Sequence, residues 1–173
     1  MKMQPIKIKE LVPEDNLNAK MALLPAFLNI WNAAENLKYL STTLIPVEQE
    51  LVQTWLENHK HQGGKYFCAQ DAQGKILGIM VIKVTPSEGF EIYGLGVLPQ
   101  YKNNGIGRKL TQHAINIAES HGYKSLTVLV FADNTPMLCL LLKLGFIPVS
   151  MDYNKRSDGA DSVYLRKYIS KVH

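Results

Sequence analysis

Apolar positions change their spacing several times along the chain, and each change marks a predicted element. Ile6, Ile8 and Leu11 stand among polar residues at strand-like intervals and predict a short first strand. Over residues 19–40 the spacing is helical, with Leu24, Leu28 and Trp31 at turn intervals and Pro25 as the place where it can break. A second helix follows Pro46, carrying Val47, Leu51, Trp55 and Leu56 on one face and ending at Gly63-Gly64. Residues 65–70 and 75–84 read as a hairpin around Asp71-Ala72-Gln73-Gly74. Residues 90–98 form another strand, closed by Pro99. An amphipathic helix over 105–121 carries Ile106, Leu110, Ala114, Ile117 and Ala118 and stops at Gly122. Residues 126–131 hold no charge and read as a buried strand, after which Thr135 and Pro136 supply an N-cap and a first turn for a helix reaching Gly145. Strands over 147–153 and 162–169 finish the chain around a polar loop, 154–161.

The order β, α, α, β, β, β, α, β, α, β, β suits a mixed sheet with helices on its faces, an α/β fold. Neither an internal repeat nor a low-complexity linker interrupts the 173 residues, so a single domain over 1–173 is expected. Hydrophobic residues make up 46% and charged residues 20%, the balance of a globular chain. The net charge of +4 is spread along the chain, which suits an anionic ligand but is too dispersed to indicate nucleic acid. No signal-peptide core opens the chain, and the apolar runs at 21–30 and 137–142 are too short to span a membrane. Cys68 and Cys139 lie in apolar surroundings and read as buried thiols of a reducing compartment. His59, His61, His113, His121 and His173 form no metal constellation. The expectation is a cytoplasmic monomer or homodimer without a metal, and with neither nucleic acid nor membrane as partner.

The informative stretch is Val97-Leu98-Pro99-Gln100-Tyr101-Lys102-Asn103-Asn104-Gly105-Ile106-Gly107-Arg108-Lys109-Leu110. A strand ends at a proline, a polar loop follows, and two glycines open a helix. Glycines let the backbone come close to a ligand, and the unsatisfied N–H groups of a helix's first turn favour an anion. Lys102, Arg108 and Lys109 add positive charge, so a diphosphate is the natural guest. A Walker A loop is absent, because Gly107 is followed by Arg108 and Lys109. The dinucleotide fingerprint fails too, because Leu110 stands where its third glycine belongs.

The run Lys102-Asn103-Asn104-Gly105-Ile106-Gly107 resembles the cofactor motif Arg/Gln-x-x-Gly-x-Gly/Ala of the GNAT superfamily of N-acetyltransferases, with lysine at the first position. Val97-x-Pro99-x-Tyr101 resembles that family's lead-in, and Asn134-Thr135-Pro136-Met137 followed by Lys143-Leu144-Gly145-Phe146 resembles its later helix. The resemblance covers residues 65–146, and element order extends it to the rest. It implies a strongly twisted mixed sheet of six to seven strands flanked by about four helices, with a splayed bulge at strand 90–98. It further implies acetyl-CoA as acyl donor, its pyrophosphate on the N–H groups of Asn103 to Lys109. The pantetheine arm would run along Leu95, Gly96 and Val97, flanked by Asn134 and Leu138. Gly94 and Gly96 would permit the bulge. Asn134 has an equal reading as a helix cap.

The implied reaction needs a neutral amine, a polarised thioester and a proton for the leaving thiolate. Deprotonating a lysine-like amine at pH 7 costs about 4.6 kcal/mol, whereas an α-amine costs roughly 1 kcal/mol. Glu91 is the candidate base, six residues before Val97, where histone-modifying relatives keep a glutamate; its plain alternative is a solvated strand residue. Strand alternation puts Glu91, Tyr93 and Leu95 on one face until a bulge resets the register. Tyr93 is a candidate for proton shuttling or the acceptor pocket, against simple packing. The Val97 N–H would meet the oxyanion, a donor commonly worth about 3–4 kcal/mol. Many family members place a proton-donating tyrosine where this chain has Leu141. Water, Tyr93, Tyr153 and Tyr164 remain as donors, or the thiolate leaves unaided. Asp152, Asp158 and Asp161 can draw a cationic amine or can be plain loop charges. Two other readings stay open: an acyl-CoA-binding module without turnover, and a nucleotide-diphosphate binder unrelated to CoA.

Overall fold

The structure, a computed structural model, describes residues 5–13, 15–58, 61, 63–85 and 89–169. His59 and His173 lie outside them. The elements are β1 (Lys7–Leu11), α1 (Leu17–Trp31), α2 (Ala34–Leu40), α3 (Gln49–Asn58), β2 (Gly64–Gln70), β3 (Ile76–Thr85), β4 (Gly89–Val97), α4 (Ile106–Ser120), β5 (Ser125–Phe131), α5 (Thr135–Lys143), β6 (Ile147–Asp152) and β7 (Ser162–Tyr168). A 3-10 turn, Pro99–Tyr101, joins β4 to the loop before α4.

Among the described residues seven strands make one mixed sheet in the order β1-β2-β3-β4-β5-β7-β6. Only β4 and β5 run parallel, which the intervening α4 makes possible as a crossover. Period-two patterning loads both faces. Phe67, Met80, Ile82, Phe90, Ile92 and Leu126 meet Leu110, Ala114 and Ala118 of α4 on one side. Tyr66, Cys68, Ile79 and Val81 meet Leu23, Phe27 and Ile30 of α1 on the other. No helix among the described residues is long and apolar enough to cross a membrane.

The predicted helix over 19–40 is two helices, which raises the count from about four to five. Pro25 stays inside α1, held by Leu23, Phe27 and Ile30 on the buried face. The break falls at Asn32 instead. Its side chain donates to Val47 O at 2.9 Å and accepts from Val47 N at 2.7 Å, which draws the chain before α3 into the corner. Asn16 caps the start of α1, accepting from Ala19 N at 3.2 Å, so that helix begins earlier than its apolar spacing suggests. The cap of α5 is Asn134 and not Thr135: the Asn134 side chain accepts from Met137 N at 3.3 Å. Of the two cysteines expected to be buried, Cys68 is buried while Cys139 is exposed on α5. Burial pushes the Cys68 thiol up to about 12.

Candidate functional site

β4 and β5 pair only over Phe90–Ile92 and Leu126–Val128. Just beyond, the β3–β4 register slips: Ile82 faces Ile92 but Val81 faces Gly94, so Tyr93 is the extra residue of a bulge. The two parallel strands then part. A cleft opens between them, lined by Ile92, Gly94 and Leu95 of β4, Leu129 of β5, Tyr39 of α2 and Asn134. The bulge expected within strand 90–98 is therefore present, and it resets which residues share a face. Cross-strand partners put Ile92 with Ile82 and Leu95 with Met80 on the α4 side. Glu91, opposite Lys83, shares the other side with Gly94 and Gly96, so Glu91 and Leu95 point oppositely.

Register also orients the backbone. Leu98 N–H donates to Leu77 O at 2.9 Å, which makes the neighbouring 78–97 and 80–95 pairs non-hydrogen-bonded. The N–H and C=O groups of Leu95 and Val97 consequently turn away from β3, toward the cleft. The Val97 carbonyl is taken by the buried side chain of Asn36, whose Nδ2 donates to it at 2.9 Å and to Ile30 O at 2.7 Å. Asn36 ties α1 and α2 to the cleft edge, and no spacing in the sequence signals it. The glycines act through close approach and not through the bulge's backbone angles, since neither Gly94 nor Gly96 has a positive φ. A Cβ on Gly96 would stand 2.5 Å from Ile30 Cγ2 and 3.1 Å from Leu40 Cδ1, and one on Gly94 would stand 3.1 Å from Trp31 Cζ2. Gly96→Ala is expected to destabilise the protein by about 2 kcal/mol, read as a fall in the denaturant midpoint at unchanged slope. An unchanged midpoint would show that α1 can shift at no cost.

At the other end of the cleft, Asn103 (φ 62°) and Gly105 (φ 77°) are both left-handed and turn the chain into α4. Gly107 brings α4 against its neighbours: a Cβ there would meet Leu140 Cδ2 at 3.7 Å and Leu95 Cδ2 at 3.8 Å. The helix's unsatisfied N–H groups are those of Ile106, Gly107 and Arg108. The N–H of Lys109 is already used, donating to Gly105 O at 3.0 Å, so the expected run of N–H donors ends one residue earlier. Asn104 braces the loop, its Nδ2 donating to Tyr101 O and Lys102 O at 3.3 and 3.1 Å. Lys102 leans away from the turn, with Nζ 3.3 Å from Glu35 Oε2 on α2. Arg108 and Lys109 are exposed. On α5, Met137 lines the cleft while Leu138 is half-buried against the core.

The polar groups on the face opposite α4 gather near the bulge. Lys83 Nζ sits 3.5 Å over the ring of the exposed Tyr93. Tyr164 pairs across the sheet with Leu129, and its phenol is held above the usual range, first by burial and then by the charge of Asp152, with Glu91 adding to it. Tyr164 is thereby brought within the field of Glu91, while Tyr153 is 74% exposed. Leu141 is fully buried beside Phe146 in the core. Among the described residues no three His, Cys, Asp or Glu side chains come together as a metal site.

The loop between β6 and β7 is strapped across this end by Arg156, only 5% exposed. Its guanidinium donates to Asp158 Oδ1 (2.8 Å) and Oδ2 (3.1 Å), Asp133 Oδ1 (3.2 Å) and Oδ2 (2.8 Å), and Lys38 O (2.6 Å), and lies 4.9 Å from the Phe131 ring centroid. Ser157 completes the strap, donating from N to Thr42 O at 2.7 Å and from Oγ to Thr43 O at 3.1 Å. Neither Arg156 nor Asp133 stood out in the sequence. The acids of this loop are engaged as well: Asp158 with Arg156, Asp152 with Lys155 at 3.3 Å, and Asp161 as acceptor from Asn154 N at 2.9 Å.

Comparison with known proteins agrees with this geometry. The model of the acetyltransferase (GNAT) family matches residues 26–146. A mycothiol acetyltransferase of Pseudarthrobacter chlorophenolicus is 35% identical over 92 residues, covering 50% of this chain but 28% of that protein, so the chain spans under a third of that relative's length. The ribosomal protein bS18-alanine N-acetyltransferase of Escherichia coli K12 is 28% identical over 136 residues, 73% of this chain and 91% of that one. A phosphinothricin acetyltransferase from Sinorhizobium meliloti, solved in complex with AcCoA, shares the fold at a TM-score of 0.76 and 14% identity over 96% of this chain and 89% of its own. With the family model matching more than half of its length, the chain belongs to the acetyltransferase (GNAT) family.

Proposed function

We propose that the protein transfers the acetyl group of acetyl-CoA to a primary amine of a small molecule or peptide, by direct attack in a ternary complex. One observation carries this reading: the cleft opened by the Tyr93 bulge is lined by Ile92 and Leu95, with Gly107 of the α4 N-terminal turn against Leu95 and Glu91 next to Ile92 in the last paired stretch of β4 and β5. The N–H groups of Asn103, Asn104, Gly105, Ile106, Gly107 and Arg108 receive the pyrophosphate, with Arg108 and Lys109 as outer charges. The out-turned N–H and C=O groups of Leu95 and Val97 run beside the pantetheine, with Gly96 between them and Asn134 opposite. Glu91 takes the amine proton as nitrogen attacks the thioester carbon. The Val97 N–H faces the oxyanion, and the C–S bond breaks to release CoA thiolate. With Leu141 buried, Tyr164, which pairs across the sheet with the cleft residue Leu129, donates the proton to sulfur in this reading. An α-amine acceptor, as named for the ribosomal-protein relative, asks little of the base; a lysine-like amine asks about 4.6 kcal/mol.

Titration calorimetry with CoA, ATP and NAD, followed by thiol release from acetyl-CoA across an amine panel, tests the reading. CoA is expected to bind and thiol to appear with at least one amine. CoA binding with no release on any amine supports a binding module, and ATP or NAD binding in place of CoA overturns the assignment.

A further inference from the structure

We propose that Arg166 holds an anionic group of the acceptor, a carboxylate or a phosphate, so that the substrate is an amine carrying negative charge. This rests on the acetyl-transfer reading and narrows its acceptor. Cross-strand register sets Lys83, Glu91, Thr127 and Arg166 in one row over β3, β4, β5 and β7. The intervening positions Leu126, Val128 and Leu165 fill the core on the opposite face. The row therefore rises from the face on which Tyr164 stands. Glu91 and Arg166 are two strands apart, about 10 Å between backbones. That is a gap which a small amino acid or a phosphorylated amine can bridge between two long side chains.

The guanidinium itself is unusual. Arg166 Nε is buried without a hydrogen-bond partner, no carboxylate among the described residues pairs with the side chain, and its one ring contact is Tyr168, 5.9 Å from Cζ to the centroid. A buried donor of a charged group left unsatisfied is costly and calls for a partner. The forked guanidinium suits a carboxylate or phosphate, which it can bind through two parallel N–H donors. The loop acids nearby already have partners. Asp158 is tied to Arg156 and Asp152 to Lys155, while Asp161 accepts the Asn154 N–H. The three loop acids that from sequence alone could attract a cationic acceptor are each engaged, whereas no carboxylate among the described residues pairs with Arg166.

The test uses matched acceptors differing only in the anion: glycine and glycinamide, 5-aminopentanoate and 5-aminopentanamide, phosphoethanolamine and ethanolamine. Thiol release and binding to CoA-saturated protein are both measured, for the native chain and for Arg166→Gln and Arg166→Lys. At least one anionic member is expected to exceed its neutral partner tenfold in kcat/KM or Kd. In Arg166→Gln that preference falls below twofold while the neutral member changes less than twofold, and Arg166→Lys restores part of it. Carboxylate preference against phosphate preference identifies the anion. Neutral members equal to anionic ones, a preference that survives Arg166→Gln, or no binding and no turnover by any member to CoA-loaded protein each overturn the subsite. Failure to bind CoA instead overturns the acetyl-transfer reading, and anionic binding without turnover supports the subsite while removing the catalysis.

Discussion

Arg156→Met is expected to lower stability by about 3 kcal/mol, or roughly 9 °C in Tm for a chain of this length. The substitution keeps the stem that lies on Phe131 and removes donors to two carboxylates and to the Lys38 carbonyl. Losing such charge-assisted bonds costs about 1.5–3 kcal/mol each, but the Asp133 and Asp158 side chains are 41% and 45% exposed and regain water, so the sum is discounted. Acid sensitivity gives the signature. Hydrogen bonds from Arg156 hold both aspartates below the usual carboxylate range, so their contribution is fully present above about pH 4 and is lost as pH falls through the depressed folded values. Denaturant midpoints measured from pH 6 to pH 2.5 should fall less steeply in Arg156→Met than in the native chain. Parallel curves would mean the strap contributes nothing.

Glu91→Gln is expected to reduce kcat/KM about 100-fold at pH 7 on a lysine-like amine, the low end of what a positioned base contributes. The amide keeps the size of the side chain opposite Lys83 and removes its basicity. Two features distinguish this from a structural loss. CoA affinity should stay within twofold, since Glu91 lies on the face opposite Leu95. The deficit should also shrink toward pH 10, where the amine loses its proton unaided. A deficit that is uniform with pH, or absent at every pH, would leave Glu91 as a strand residue paired across from Lys83.

Much of the architecture was legible because it depends on short-range periodicity. Alternation in β2 and β3, the turn spacing of Ile106, Leu110 and Ala114, and the glycine-opened loop before α4 are local patterns, and each became the expected element. Element ends and caps were less legible. Asn16 and Asn134 cap helices through side-chain bonds that apolar spacing does not register, and Asn32 splits a helix by reaching fifteen residues along the chain to Val47. Cys139 looked buried because its neighbours are apolar, yet a helix of nine residues exposes one side whatever its composition.

For the site, local sequence determined the glycine turn into α4. The left-handed φ of Gly105 and the open N–H groups of α4 depend on a few consecutive residues. Tertiary structure decided everything that depends on pairing between distant segments. The single extra residue at Tyr93 exists only relative to β3, and it alone puts Glu91 and Leu95 on opposite faces. Asn36 reaches Val97 across 61 positions and Arg156 reaches Lys38 across 118. Arg166 enters the row of Glu91 solely because β7 lies beside β5. A spacing rule reads neighbours along the chain, whereas the face that carries Glu91 and Arg166 is assembled from strands whose order in the sheet departs from their order in the sequence.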